Sequence, residues 1–221
     1  MFQSGDRNHR ESGAPVVDGS ILTDAPDISL PAKPEFLGQP RGLIFIGGTE
    51  LWERISFHGM QALLVIYMVD QLLLPGHIEQ IWGFKEFRAA IEGVTGPLSI
   101  RGLASQIFGL YVGLVYFIPV FGGLLGDGIL GRRRAVALGA LLMTVGHFCM
   151  SFEQSFLIAM LLLVLGAGVL RGNLASQLGD LYGKGDHRRD SGFQIYVCLL
   201  NTGAFLAPLI TGALSQQYRW H

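Results

Sequence analysis

The nine residues ELWERISFH, 50–58, place two carboxylates, a guanidinium and an imidazole inside a strongly apolar stretch. Such a set offers ion pairing and proton exchange, because a carboxylate that holds a guanidinium when ionised releases it when protonated. On a helix, positions i, i+3, i+4, i+7 and i+8 share one face. Glu50, Glu53, Arg54, Phe57 and His58 fall on those positions, and Leu51, Trp52 and Ile55 fall elsewhere. The spacing predicts one polar stripe on an otherwise apolar helix. A charge near the centre of a bilayer costs about 2.5–3.5 kcal/mol on insertion scales, so the stripe has to face protein or a water-filled cavity. The plainer alternative is a buried ion pair that only ties helices together. A Glu53–Arg54 pair alone fits that alternative; three charges and a histidine on one face fit it poorly.

Arg171, in GAGVLRGN at 166–173, is the second ionisable group set deep in an apolar run. Snorkelling to the interface is the bland reading of such a residue. It lies about 16 residues into the span from Ser155, and GNLASQLG continues the span beyond it, so a partner inside the bundle is the stronger expectation, with Glu50 and Glu53 as candidates. A lone His147 reads as hydrogen-bonded packing. Tyr116 and Asn201 are isolated polar groups among apolar neighbours, and composition leaves open whether each bonds a neighbouring helix or a ligand.

The elements that must carry these groups follow from composition. The chain has 221 residues, 50% of them hydrophobic and only 15% charged. Soluble domains average about 25% charged, so the balance points to a membrane protein. A net charge of −1 argues against nucleic acid as a partner. A span needs roughly 20 mostly apolar residues. Five candidates emerge, at about 42–74, 102–126, 135–152, 155–182 and 191–218, preceded by a polar tail over 1–40. Their length favours helices over barrel strands, which alternate over about ten residues. Of the 16 Lys and Arg, ten fall on the side of the N-terminus, four on the other side, and Arg54 and Arg171 inside spans. That bias predicts a cytoplasmic N-terminus. FKEFRAAIEGV, 84–94, reads as a short surface helix on the outer side, and Cys149 and Cys198 read as small buried hydrophobes. No metal-ligand spacing, HExxH or Ser/His/Asp grouping is present, so neither an enzyme nor a resident metal is expected.

Residues 122–134, GGLLGDGILGRRR, join the second and third spans. The glycines permit close helix approach, and Asp127 is placed to meet the arginines or a helix N-terminus. Gly123, Asp127, Gly131, Arg132 and Arg133 together resemble the G-x-L-x-D-x-x-x-G-R-R loop of the major facilitator superfamily. ELWERISFHG resembles the E-x-x-E-R-F-x-Y-Y-G first-helix motif of the proton-dependent oligopeptide transporters, the POT family. GAGVLRGN resembles that family's G-x-G-x-x-K-P-N, and FQIYVCLLNTGAFLAPLI, 193–210, resembles its fifth helix. The likeness runs in order from about Phe36 to His221.

The resemblance implies an all-α membrane protein: the N-terminal bundle of the major facilitator fold, with about five transmembrane helices of twelve or more. It implies proton-coupled uptake of di- and tripeptides by alternating access in the plasma membrane. The proton gradient is the driving force, and no cofactor is required. Partners would be peptides, protons, membrane lipid and a C-terminal bundle completing the transporter. Glu50, Glu53 and Arg171 would couple protons; Arg54, His58, Tyr116, Arg171 and Asn201 would contact the peptide. The alternative is a truncated, inactive or regulatory membrane fragment whose charges act only as helix–helix ion pairs. Departures from the family pattern are specific. Ile55, Phe57 and His58 stand for Phe, Tyr and Tyr; Gln61 stands for an Arg found in many members. Arg171 stands for Lys, Gly172 for Pro, and Gly128 for an Arg. Arg keeps its proton, so a cycle that deprotonates the Lys position cannot run here, whereas one built on a switchable ion pair can.

Overall fold

The structure, a computed structural model, describes residues 35–218. Arg7, Arg10, Lys33 and Arg219 of the charge count, and residues 1–34 of the expected tail, lie outside them. Among the described residues, seven α-helices run in order: α1 Gly42–Tyr67, α2 Phe84–Thr95, α3 Ile100–Phe117, α4 Pro119–Leu125, α5 Arg132–Met150, α6 Phe156–Asp180 and α7 Arg188–Tyr218. Two short strands, β1 Glu35–Phe36 and β2 Gln39–Pro40, pair antiparallel ahead of α1.

Local chemistry sets the breaks. α1 continues into a π-helical turn over Met68–Leu72, whose Met68 and Leu72 are fully buried. The Ser99 hydroxyl accepts the Gly102 N–H at 3.2 Å and caps α3. α3 gives way to α4 at Pro119, which occupies the first helical turn where its missing N–H leaves no orphan donor. Gly131 lies at φ 77°, a conformation that disfavours a side chain, and so turns the chain from the loop motif into α5. α2 lies on the surface between α1 and α3, with Phe84 buried and Phe87 and Ile91 packed on the core.

The bundle is built from close pairs: α5 packs on α6, α1 on α7, and α4 on α6. Small residues allow it. A methyl group on Gly122 would meet the Gly168 carbonyl, so α4 and α6 touch backbone to backbone there. Contact this close substitutes for the hydrophobic driving force that lipid does not supply between helices. One core cluster, around Phe57, Leu64, Tyr111, Phe156 and Leu163, joins α1, α3 and α6. A second, around Leu43, Leu170, Leu174 and Tyr196, joins α1, α6 and α7.

Among the described residues, three helical runs are long and apolar enough to cross a membrane: Ile100–Leu130, Glu153–Asp180 and Arg188–Gln217. The other two expected spans differ for identifiable reasons. α1 carries Glu50, Glu53 and Arg54 in its middle, and α5 opens on three arginines. The cysteine expectation needs correction: Cys149 is half-buried and Cys198 exposed. α7 meets α1 through Leu199, Gly203 and Thr211, spaced by four and then eight residues along one helix face, so Cys198 is turned off that face.

Residues 35–40 are attached to the link between α6 and α7. Arg188 pairs with Glu35 and Asp186, the Tyr182 hydroxyl donates to Gln39 at 2.9 Å, and Gln39 donates to Ser191 at 3.0 Å. The Arg188 guanidinium and backbone N–H hold the Asp186 carboxyl down at about 2, from 3.8.

Two outcomes are expected. Gly122→Val should lower the melting temperature in detergent by an overpacking cost of about 1–3 kcal/mol or more. Gly113→Val, whose Cβ faces open space, should leave it near wild type. Because the Asp186 carboxyl is depressed in the folded state, its pairing contributes above 3.8 and is lost as pH falls through about 2. A nitroxide at the exposed Leu37 should sharpen across that window, and should be sharp at neutral pH in Arg188→Ala.

Candidate functional site

The stripe on α1 is resolved by burial into two sides. Glu50 and Glu53 are 1% and 4% exposed, and Phe57 is buried beside them. Arg54 and His58, one residue further round, are half-buried. Arg54 turns back on its own helix, where Nε and Nη2 donate to Glu50 Oε1 at 3.2 and 3.0 Å. Its Nε also stands 3.7 Å from Glu53 Oε2.

Arg171 enters from α6. Its Nε and Nη2 donate to Glu53 Oε1 at 3.0 and 2.6 Å, with the guanidinium side chain only 8% exposed. Of the two candidate partners, the structure assigns Arg171 to Glu53, and Arg54 takes Glu50. The Arg171 guanidinium also lies 4.2 Å from the centroid of the Phe57 ring, a cation–π contact strengthened by desolvation. Phe57 in turn touches His58, Tyr111 and Tyr116, at ring separations of 5.2, 6.1 and 6.2 Å.

The pairing is incomplete. Each arginine spends two donors on a single carboxylate oxygen. Glu50 Oε2, Glu53 Oε2 and Arg171 Nη1 are buried without a hydrogen-bond partner. A buried polar atom left unpaired costs about 1–3 kcal/mol, more when charged. Two carboxylate oxygens and one guanidinium nitrogen without a hydrogen bond are therefore held in one desolvated spot, Glu53 Oε2 facing Arg54 and Glu50 lying beside Tyr196.

The remaining predicted residues are distributed around this centre. Tyr116 is 58% exposed and reaches the edge of the Phe57 ring. Asn201 is exposed on α7 and donates to Val197 O in its own helix at 3.0 Å, away from the ion pairs. In the loop motif, Asp127 accepts from Arg132 Nε at 2.8 Å, and Arg132 Nη1 reaches both oxygens of Asp180 at the end of α6. Pairing with Asp180, and then with Asp127, raises the Arg132 guanidinium above its ordinary value. Gly123 sits against the backbone of Gly172, and Arg133 is exposed. His147 of α5, read from the sequence as hydrogen-bonded packing, is hydrogen-bonded to Ser56. Two neighbours were not singled out from the sequence: Tyr111 of α3 is buried against Phe57, and Tyr196 of α7 is buried beside Glu50. Tyr111 and Tyr196 carry no local signal, because a tyrosine in an apolar run reads as packing until its neighbour is known.

Residues 133–221 match the family described as PTR2: POT family. The chain is 38% identical over 197 residues to the uncharacterized transporter YclF of Bacillus subtilis (strain 168), covering 87% of this chain and 36% of that protein. It is 36% identical over 189 residues to the di-/tripeptide transporter of Lactococcus lactis subsp. lactis (strain IL1403), covering 84% and 34%. The crystal structure of peptide transporter POT in complex with sulfate superposes with a TM-score of 0.68 at 36% identity, covering 86% of this chain and 35% of that one. A POT family transporter in complex with 5-aminolevulinic acid gives 0.62 at 30% identity, covering 80% and 33%. The chain thus spans about a third of the length of the relatives it matches.

Removing one partner of the buried pair leaves an uncompensated charge. Arg171→Ala is expected to destabilise the bundle by about 3–5 kcal/mol, measured as thermal unfolding in detergent. Arg171→Lys keeps the charge but loses the planar fork, and its loss should fall between that of Arg171→Ala and wild type.

Proposed function

This chain belongs to the POT family, and from that premise we propose that it forms part of a proton-coupled symporter of di- and tripeptides working by alternating access. The observation that carries the reading is the interhelical Glu53–Arg171 pair, buried and left with unsatisfied atoms on both partners. When Glu53 is ionised, Arg171 is held across from α6 to α1. When Glu53 takes a proton, the charge that holds the guanidinium is gone. Arg171 cannot give up its own proton in exchange, so the switch sits on the glutamate. The freed fork then presents two parallel N–H groups, the geometry that binds a carboxylate bidentately. A peptide's C-terminal carboxylate is the acceptor of matching chemistry. Arg54 and Glu50 form the neighbouring pair that shares the load when Arg171 changes partner.

A helix-to-helix ion pair with no transport role would be favoured by a fully satisfied network, since an unpaired buried charge only weakens it. The three atoms without a hydrogen bond favour the exchanging site instead. His58, Tyr116 and Phe57 line the approach, and the replacement of two tyrosines by Phe57 and His58 places peptide selectivity there. Orientation with the N-terminus in the cytoplasm and residence in the plasma membrane belong to the same proposal. They rest on the distribution of Lys and Arg.

The test is Glu53→Gln in a full-length transporter carrying this segment. Proton-driven dipeptide uptake should fall at least about tenfold, one decade being 1.4 kcal/mol, while exchange of peptide for peptide without a proton gradient persists. Unchanged proton-driven uptake would show that Glu53 does not couple the proton.

A further inference from the structure

The hydrogen bond between Ser56 Oγ and His147 Nε2, at 2.7 Å, has no place in the reading so far. It joins α1 to α5, two helices that share little other packing, since α5 lies on α6 and α1 on α7. Ser56 is three residues beyond Glu53, about 4.5 Å along the helix axis. The bond therefore fixes the α1 turn that immediately follows the coupling carboxylate. His147 is half-buried in the last turn of α5, where burial opposes a positive imidazolium and the helix dipole and the nearby Glu53 carboxylate favour it.

The charges around His147 can be enumerated by element. On α1, Glu53 interacts with the imidazole electrostatically. Arg54 and Glu50 are engaged with each other, and His58, the other imidazole of this region, stands against Phe57 and interacts with Arg54, Arg171 and Glu53. On α6, Arg171 is bound to Glu53, and Asp180 lies at the far end with Arg132. Asp127, in the turn after α4, also serves Arg132, and Glu153, in the turn before α6, is held by His77 at 2.7 Å. The arginines at the start of α5 are about 20 Å away along the helix. Glu53 is thus the charge that His147 answers to, and no other described ionisable group bridges α5 to the pair.

We propose that His147 is a positioning residue of the coupling site: through Ser56 it holds the turn after Glu53, and by its own charge it biases the Glu53–Arg171 pair. The inference rests on the proton-coupled reading above. An imidazolium beside Glu53 favours the ionised carboxylate, which keeps Arg171 bound; a neutral imidazole removes that support. Two groups so placed titrate as a pair, with the second proton disfavoured by the first. With the N-terminus in the cytoplasm, Ser56 and His147 lie on the outer side of Glu53, so a proton arriving from outside meets the imidazole before the carboxylate.

The test is His147→Gln in a full-length transporter carrying this segment, since glutamine keeps a hydrogen-bonding group for Ser56 but cannot titrate. Dipeptide uptake is measured as a function of external pH, and peptide counterflow without a gradient is measured as the control for folding and binding. Counterflow should stay within about twofold of wild type, and the uptake midpoint should move to higher pH by at least about half a pH unit, because Glu53 has lost the cation that opposed its protonation. A profile that superimposes on wild type overturns the proposal, as does loss of counterflow together with uptake, which would make His147 a structural tie. Glu53→Gln, assayed in parallel, separates the two readings: if it remains proton-driven the coupling site itself is misassigned, and if it does not, a silent His147→Gln condemns this inference alone.

Discussion

Glu53 is a carboxylate kept 4% exposed on a helix surrounded by apolar side chains, and it is tolerated because Arg171 reaches it from another helix. Desolvating an ion costs several kcal/mol, and mutual attraction repays that only with good geometry. The pair therefore constrains its surroundings. α6 has to bring residue 171 to the level of residue 53, Phe57 has to lie flat against the guanidinium, and Arg54 has to be drawn off to Glu50. A shift of one residue in the register of α1 against α6 would leave both charges buried and unpaired.

Close packing is what makes that register possible. Gly122 against Gly168, and Gly139 against the α6 backbone, let α4 and α5 settle onto α6 at short range. Asn173 then bridges α6 to α4, donating to Gly122 O at 2.7 Å. At the end of the bundle near the loop motif, Arg132 holds Asp127 and Asp180 together, and Arg188 ties the β1–β2 hairpin to the α6–α7 link. Rigid elements locked at one end and an incompletely satisfied ion network in the middle form a natural division of labour. The first fixes where the helices are, and the second leaves a few atoms whose partners can change.

Family membership sharpens the meaning of particular residues without replacing their chemistry. Arginine at 171 cannot serve as a proton carrier, so any coupling through this position has to operate by exchange of partners. Phe57, where the family pattern has a tyrosine, turns a hydrogen-bonding position into a cation–π platform for Arg171. The aromatic half of the first-helix motif has changed and its charged half has been kept.

The amino-acid sequence alone determined that this is a helical membrane protein, that Glu50, Glu53 and Arg54 share one helix face, and that Arg171 needs a partner inside the bundle. Those conclusions follow from periodicity and from the cost of charge in lipid, both of which are local properties. Only the tertiary structure decided who pairs with whom. Glu50 and Glu53 are equivalent by spacing, and it is the level at which α6 crosses α1 that gives Arg171 to Glu53. The same limit hid Tyr111 and Tyr196, each an ordinary polar residue in an apolar helix until another helix sets Phe57 or Glu50 against it, and left the partner of His147 to the fold. It also misread Cys198, whose exposure depends on which face of α7 meets α1. Side-chain chemistry is written residue by residue, but partnership across helices depends on register and rotation, and these are set by packing over the whole bundle.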